Sequence, residues 1–152
     1  MTASSDSRTY TAAPLVGVGI VILREDRVLL IQRGKPPRQG QWSLPGGMQQ
    51  LGETVQAAVA REALEETGLM VQIRGLLDVV DLIETDSAGR TSRHYTLIDY
   101  WGVAPEGEPR AGDDAMDARW FTRAQLDALP LWEKTREIIA LAFSRAAGTR
   151  GA

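Results

Sequence analysis

The sequence predicts an α/β fold in which a mixed sheet is sandwiched between helices. Several short stretches are rich in β-branched and aliphatic residues, as strands are. Two other stretches repeat apolar residues every three or four positions, as helices do. The length of 152 residues suits one domain around one core.

Residues 1–13 are small and polar and are expected to form a loose tail, with the domain over 14–147 and a short tail over 148–152. Leu15–Leu23 is an almost unbroken apolar run, the pattern of a buried strand. Glu25-Asp26 interrupts it and Val28–Ile31 resumes it, which predicts a hairpin. Gly34–Gly40 is a loop with strong breakers, and Trp42–Gly47 is short, extended and closed by a glycine turn. Helical spacing begins near Thr54, where Val55, Val59 and Ala63 recur every fourth residue, and Ala60 and Leu64 widen the stripe. Gly68 is the expected stop. Leu69–Ile83 reads as one or two strands, Asp86–Gly89 as a turn and Tyr95–Trp101 as the returning strand. Ala118–Phe121 is a short strand, and Thr122 with Gln125 has the spacing of a capping box before a short helix. Trp132, Ile139, Ala142 and Phe143 mark one face of a last helix that Gly148 should end.

Composition excludes several chemistries. With no cysteine there is no disulfide, thiolate metal site or cysteine nucleophile. A single histidine, His94, rules out a site with two histidine ligands. A bound metal must rest on oxygen, which favours Mg2+ or Mn2+. The net charge of −3 does not indicate a broad surface for nucleic acid. No apolar run is long enough for a membrane span, and the first residues lack the pattern of a secretory signal. The expected location is cytoplasmic.

The chemistry concentrates on the first helix. Glu62, Glu65 and Glu66 are three and four residues apart, so their carboxylates share one side of it. Three like charges at this spacing repel one another, and a divalent cation would remove that cost. The glycines before the helix let the backbone approach a ligand, so a carbonyl there could join the site. Glu53 is read as opening the helix, where the macrodipole favours an acid.

Gly47 to Leu69 resembles the Nudix box: Gly47, five residues, Glu53, seven residues, then Arg61-Glu62-Ala63-Leu64-Glu65-Glu66-Thr67-Gly68-Leu69. Every fixed position matches, and the order of elements resembles the family over about residues 14–145. The resemblance implies a Nudix-type α/β/α sandwich and hydrolysis of a nucleoside diphosphate linked to another moiety. It implies Glu62, Glu65, Glu66 and the Gly46 carbonyl as metal ligands, though one glutamate could instead act as base through water. It further implies a link between Arg61 and Glu53 that orients the carboxylates. Asp114, in the loop before Trp120 where relatives place a late acid, is the favoured base, with Asp113 beside it. Many relatives are dimers, which implies a homodimer.

Segments outside the box resemble a bacterial subgroup of ADP-ribose pyrophosphatases. They are Leu29–Gly34, Gln41–Gly47, His94–Tyr100, and Ala111–Ala115 with Arg119-Trp120-Phe121. The substrate so implied is ADP-ribose, cleaved to AMP and ribose 5-phosphate. A nucleoside triphosphate pyrophosphohydrolase and a non-catalytic nucleotide sensor are the alternatives. Arg33 is a candidate for phosphate contact, as are Lys35 and Arg38. Trp42, Tyr95 and Trp101 are candidates for stacking on a base, of which Trp42 and Tyr95 are preferred. Trp120 and Trp132 are assigned to packing.

Overall fold

The computed structural model describes residues 7–36 and 38–150, with the side chains of 149 and 150 left out. Seven strands form one sheet: β1 (Leu15–Arg24), β2 (Arg27–Arg33), β3 (Trp42–Ser43), β4 (Gly46–Met48), β5 (Gln72–Thr85), β6 (Thr91–Val103) and β7 (Ala115–Thr122). The helices are α1 (Val55–Thr67), α2 (Arg123–Leu126) and α3 (Glu133–Arg150). The main order is β3-β2-β1-β6-β5, with β4 paired to β1 and β7 to β2. β1 and β6 run parallel while the other pairs are antiparallel, so the sheet is mixed.

The apolar run of β1 follows from burial on both faces. Val18, Ile20 and Ile22 join Ala58, Val59 and Ala63 of α1 in one core layer. Val21 and Leu23 join Ile138, Ile139, Ala142 and Phe143 of α3 in the other. Adjacent residues of a strand point to opposite faces, so one continuous apolar segment supplies two cores.

Local chemistry sets the ends of α1. The Thr54 hydroxyl accepts a hydrogen bond from Ala57 N–H, and Gly68 closes the helix at φ 73°, a left-handed conformation that suits glycine. Thr122 and Gln125 form the reciprocal capping box of α2.

Several expectations fail in detail. Gly46 and Gly47 are not a turn; they lie in β4, paired with Gly19 and Val18 of β1. Close approach is what requires them: a Cβ on Gly46 would meet the Val18 carbonyl oxygen at 2.2 Å. Glu53 does not open α1 but precedes its cap, where its carboxylate accepts from Gln50 N–H at 3.0 Å. Ala60 and Leu64 are exposed, while Ala58, Glu62 and Thr67 are buried, because the covered face of α1 is rotated from the expected stripe. Gly148 does not end α3, which runs on to Arg150. Gly148 has open space around it, and no tertiary contact forces a break. Of the expected tail, residues 1–6 lie outside the described residues, and Tyr10 bonds to the β5–β6 hairpin through Ser92 and Asp86. Among the described residues no helix is long and apolar enough to cross a membrane.

Candidate active site

The box residues converge where α1 meets β4. Arg61 is the hub. Its Nε and Nη2 donate to the two oxygens of Glu53 at 2.7 and 3.0 Å, a bidentate pair. Nη2 also donates to the Met48 carbonyl at 3.0 Å, which ties α1 to the end of β4. Nη1 reaches Glu62 at 2.8 Å and Glu65 at 3.2 Å. The guanidinium and the Gln50 amide together hold the Glu53 carboxyl down at a pKa of about 2.

Glu62 and Glu66 lie beside the glycine pair. Gly46 N–H donates to Glu66 Oε2 at 3.1 Å. A Cβ on Gly47 would come within 2.4 Å of the Glu62 carboxyl, so only glycine leaves room for that group. Burial pushes the Glu66 pKa up to about 8, more than the Gly46 hydrogen bond offsets, and the charges of Glu62 and Asp113 raise it further. Burial likewise raises Glu62, and Arg61 opposes the shift. Glu65 is exposed. Among the described residues no three acidic or histidine side chains are gathered closely enough to hold an ion as they stand. Arg61 occupies Glu62 and Glu65, and Glu66 faces the Gly46 amide. The donor set still fits a hard cation. Two carboxylates with raised pKa values stand at one glycine pair, a site where added positive charge relieves both.

The loop after β6 carries the late acids. Arg110 N–H bonds to the Thr67 carbonyl at 2.8 Å and Gly112 N–H to the Glu66 carbonyl at 3.2 Å, fastening the loop to the C-terminal turn of α1. This brings the charge of Asp113 to bear on Glu62 and Glu66. Asp114 is mostly exposed and pairs with Lys35 Nζ at 2.7 Å.

Gly46 and Gly47 also line a cavity of about 670 Å3 on the α3 side of the sheet. Arg33, Arg38, Trp42 and Tyr95 line it too, so all three expected substrate contacts are brought together there. The charge of Arg33 reaches Glu66. Trp42 is braced edge-on by Phe121, with ring centroids 4.9 Å apart. Trp101 belongs to the core, being only 6% exposed. Trp132, assigned to packing, is instead 41% exposed and borders the cavity, because α3 begins only after it. A smaller cavity of about 350 Å3 lies between α2 and α3, away from the carboxylates.

The sequence reading missed the cavity floor. Gly17 and Gly19 alternate along β1 beside Leu97 and Asp99 of β6, and Lys134 and Thr135 of α3 stand over them. Two signals were present: glycines at alternate positions of an apolar strand, and an acid inside the apolar run from Tyr95 to Trp101. Burial pushes the Asp99 pKa up to about 6, with Asp78 adding to the shift and Lys134 opposing it.

The NUDIX domain profile matches residues 13–142. The chain belongs to the Nudix family. It is 39% identical over 116 residues to the ADP-ribose pyrophosphatase of Methanocaldococcus jannaschii, across 76% of this chain and 66% of that protein. It is 42% identical over 108 residues to a Mycobacterium tuberculosis protein provisionally named an 8-oxo-dGTP diphosphatase, across 69% of this chain and 71% of the other. A MutT Nudix hydrolase from Burkholderia pseudomallei superposes with a TM-score of 0.72 at 37% identity, over 85% of this chain and 98% of that one. The α/β architecture is thus the Nudix fold.

Proposed function

We propose that this Nudix protein is a pyrophosphohydrolase that cleaves a nucleoside diphosphate linked to another moiety, with ADP-ribose as its substrate and Mg2+ or Mn2+ as its metal. The observation that carries the reading is the placement of Glu62 and Glu66 at the glycine pair that also walls the arginine-lined cavity. A nucleotide in that cavity would bring its phosphates to both.

The residues divide the work. Glu62, Glu65, Glu66 and the Gly46 carbonyl would hold the metal. The metal would neutralise phosphate oxygens and lower the pKa of water. Arg61, locked on Glu53 and Met48, sets the rotamers of the glutamates around it. Arg33 and Arg38 would bind and orient the diphosphate. Trp42 and Tyr95 would contact the nucleoside. The base is assigned to Asp113 in preference to Asp114. Asp114 is engaged by Lys35, whereas the charge of Asp113 reaches Glu62 and Glu66. The product pair would be AMP and ribose 5-phosphate.

The archaeal relative supports ADP-ribose. The mycobacterial one supports a second reading, hydrolysis of an oxidised nucleoside triphosphate. Turnover of ADP-ribose, 8-oxo-dGTP and the common triphosphates, each with Mg2+ and with Mn2+, separates them. ADP-ribose should give the highest kcat/KM. No turnover of any substrate, with binding retained, would leave a nucleotide sensor instead. Hydrolysis in 18O-labelled water should place the label on one phosphate product, and label on a sugar carbon alone would exclude attack at phosphorus.

A further inference from the structure

Asp99 stands outside the machinery assigned above, yet it is placed to act on substrate. Its carboxylate is on the cavity wall and only 8% exposed. Gly19 lies beside it on β1, and a Cβ there would fall 2.5 Å from Asp99 Oδ1. The missing side chain therefore opens the space in front of the acid. No described residue hydrogen-bonds to the carboxylate, and Lys134, the cation nearest in effect, pairs with Asp78 and Glu137 instead. A buried carboxylate without donors is costly to keep, and its cost falls when a ligand supplies them.

Charge selects which part of a nucleotide arrives there. An anionic phosphate is repelled by Asp99 and attracted to Arg33 and Arg38, which line the cavity together with the glycine pair. Gly46 and Asp99 pair with the same residue, Gly19, from its two flanking strands. Two strand spacings separate them by about 10 Å. With the diphosphate at Gly46, the part of the substrate that meets Asp99 at that spacing is uncharged and donates hydrogen bonds. On the ADP-ribose reading, that part is adenine.

We propose that Asp99 is the residue that selects the base, by accepting a hydrogen bond from the 6-amino group of adenine. This rests on the function proposed above, and a binding measurement separates the two. Calorimetry with AMP and with purine riboside 5′-monophosphate, which lacks only that amino group, reads the contact without turnover. The native protein should bind AMP about tenfold more tightly, the value of one hydrogen bond to a charged acceptor. Asp99→Leu should bring the two affinities within about twofold by weakening AMP alone. Asp99→Asn keeps an acceptor oxygen and should restore much of the difference, whereas Asp99→Ala removes it and serves if the leucine variant does not fold. A native protein that binds both ligands equally, or an Asp99→Leu or Asp99→Ala variant that keeps the full preference, would overturn the assignment. ADP-ribose turnover without a base preference would leave the hydrolase reading standing and remove Asp99 from it. A preference lost in Asp99→Leu, in a protein that never cleaves ADP-ribose, would do the reverse.

Discussion

Replacing Glu66 by glutamine should stabilise the metal-free protein while abolishing its activity. The Glu66 carboxyl is raised from its ordinary 4.5 to about 8 chiefly by burial, so the folded state holds a proton that the unfolded chain releases. Its contribution to stability is fully present below about pH 4.5 and is lost as pH rises through about 8. At pH 8 this corresponds to about 4 kcal/mol, an upper value because water entry and relaxation reduce it. Glutamine is neutral at every pH and can still accept from Gly46 N–H. Chemical denaturation in chelator should therefore show Glu66→Gln more stable by roughly 2–4 kcal/mol at pH 8 and nearly unchanged at pH 4.5. Adding Mg2+ should stabilise the native protein and do little for the variant, because a ligand that binds only the folded state raises stability by mass action. Turnover should fall by orders of magnitude. A variant less stable than native at pH 8 in chelator, or one with near-normal metal-dependent rates, would refute the claim that Glu66 is a buried acid waiting for a cation.

Gly47→Ala places a methyl group where the Glu62 carboxyl sits, so turnover should drop at least about tenfold while overpacking costs about 1–3 kcal/mol in denaturation; unchanged kcat would mean that Glu62 can move freely. Asp113→Asn should lower kcat by about 100-fold or more with little change in KM, whereas Asp114→Asn should cost only a few-fold; the opposite order in steady-state kinetics would return the base to Asp114. For Asp99, the rise from 3.8 to about 6 makes its contribution to stability full below about pH 4 and lost as pH rises through about 6. Asp99→Asn should therefore flatten the pH dependence of the denaturation midpoint and gain up to about 3 kcal/mol at pH 8; an unaltered profile would place that carboxylate in water.

Local backbone chemistry was legible wherever it acts alone. The Gly68 stop and the Thr122–Gln125 box depend on residues within a few positions of each other, and each formed as read. The end of α3 was misread because Gly148 lies in open space, where a helix passes through glycine at modest cost. Ala60 and Leu64 were misplaced for a different reason. Periodicity gives the width of an apolar stripe, but the packing of α1 on β1 and β4 decides which edge of it is covered.

The sequence by itself determined the family, the run of strands and helices, and the set of acids on one helix. These are written in spacing, which a chain carries before it folds. Tertiary structure alone decided that Gly46 and Gly47 are close-packed strand rather than turn, that the loop carrying Asp113 and Asp114 is fastened to the end of α1, and that Asp99 opens onto the cavity. Each of those facts is a contact between segments tens of residues apart, set by strand register and by the loop fastened to the end of α1. A one-residue change in register turns a side chain to the other face, and nothing local to Asp99 or Gly46 records which register forms.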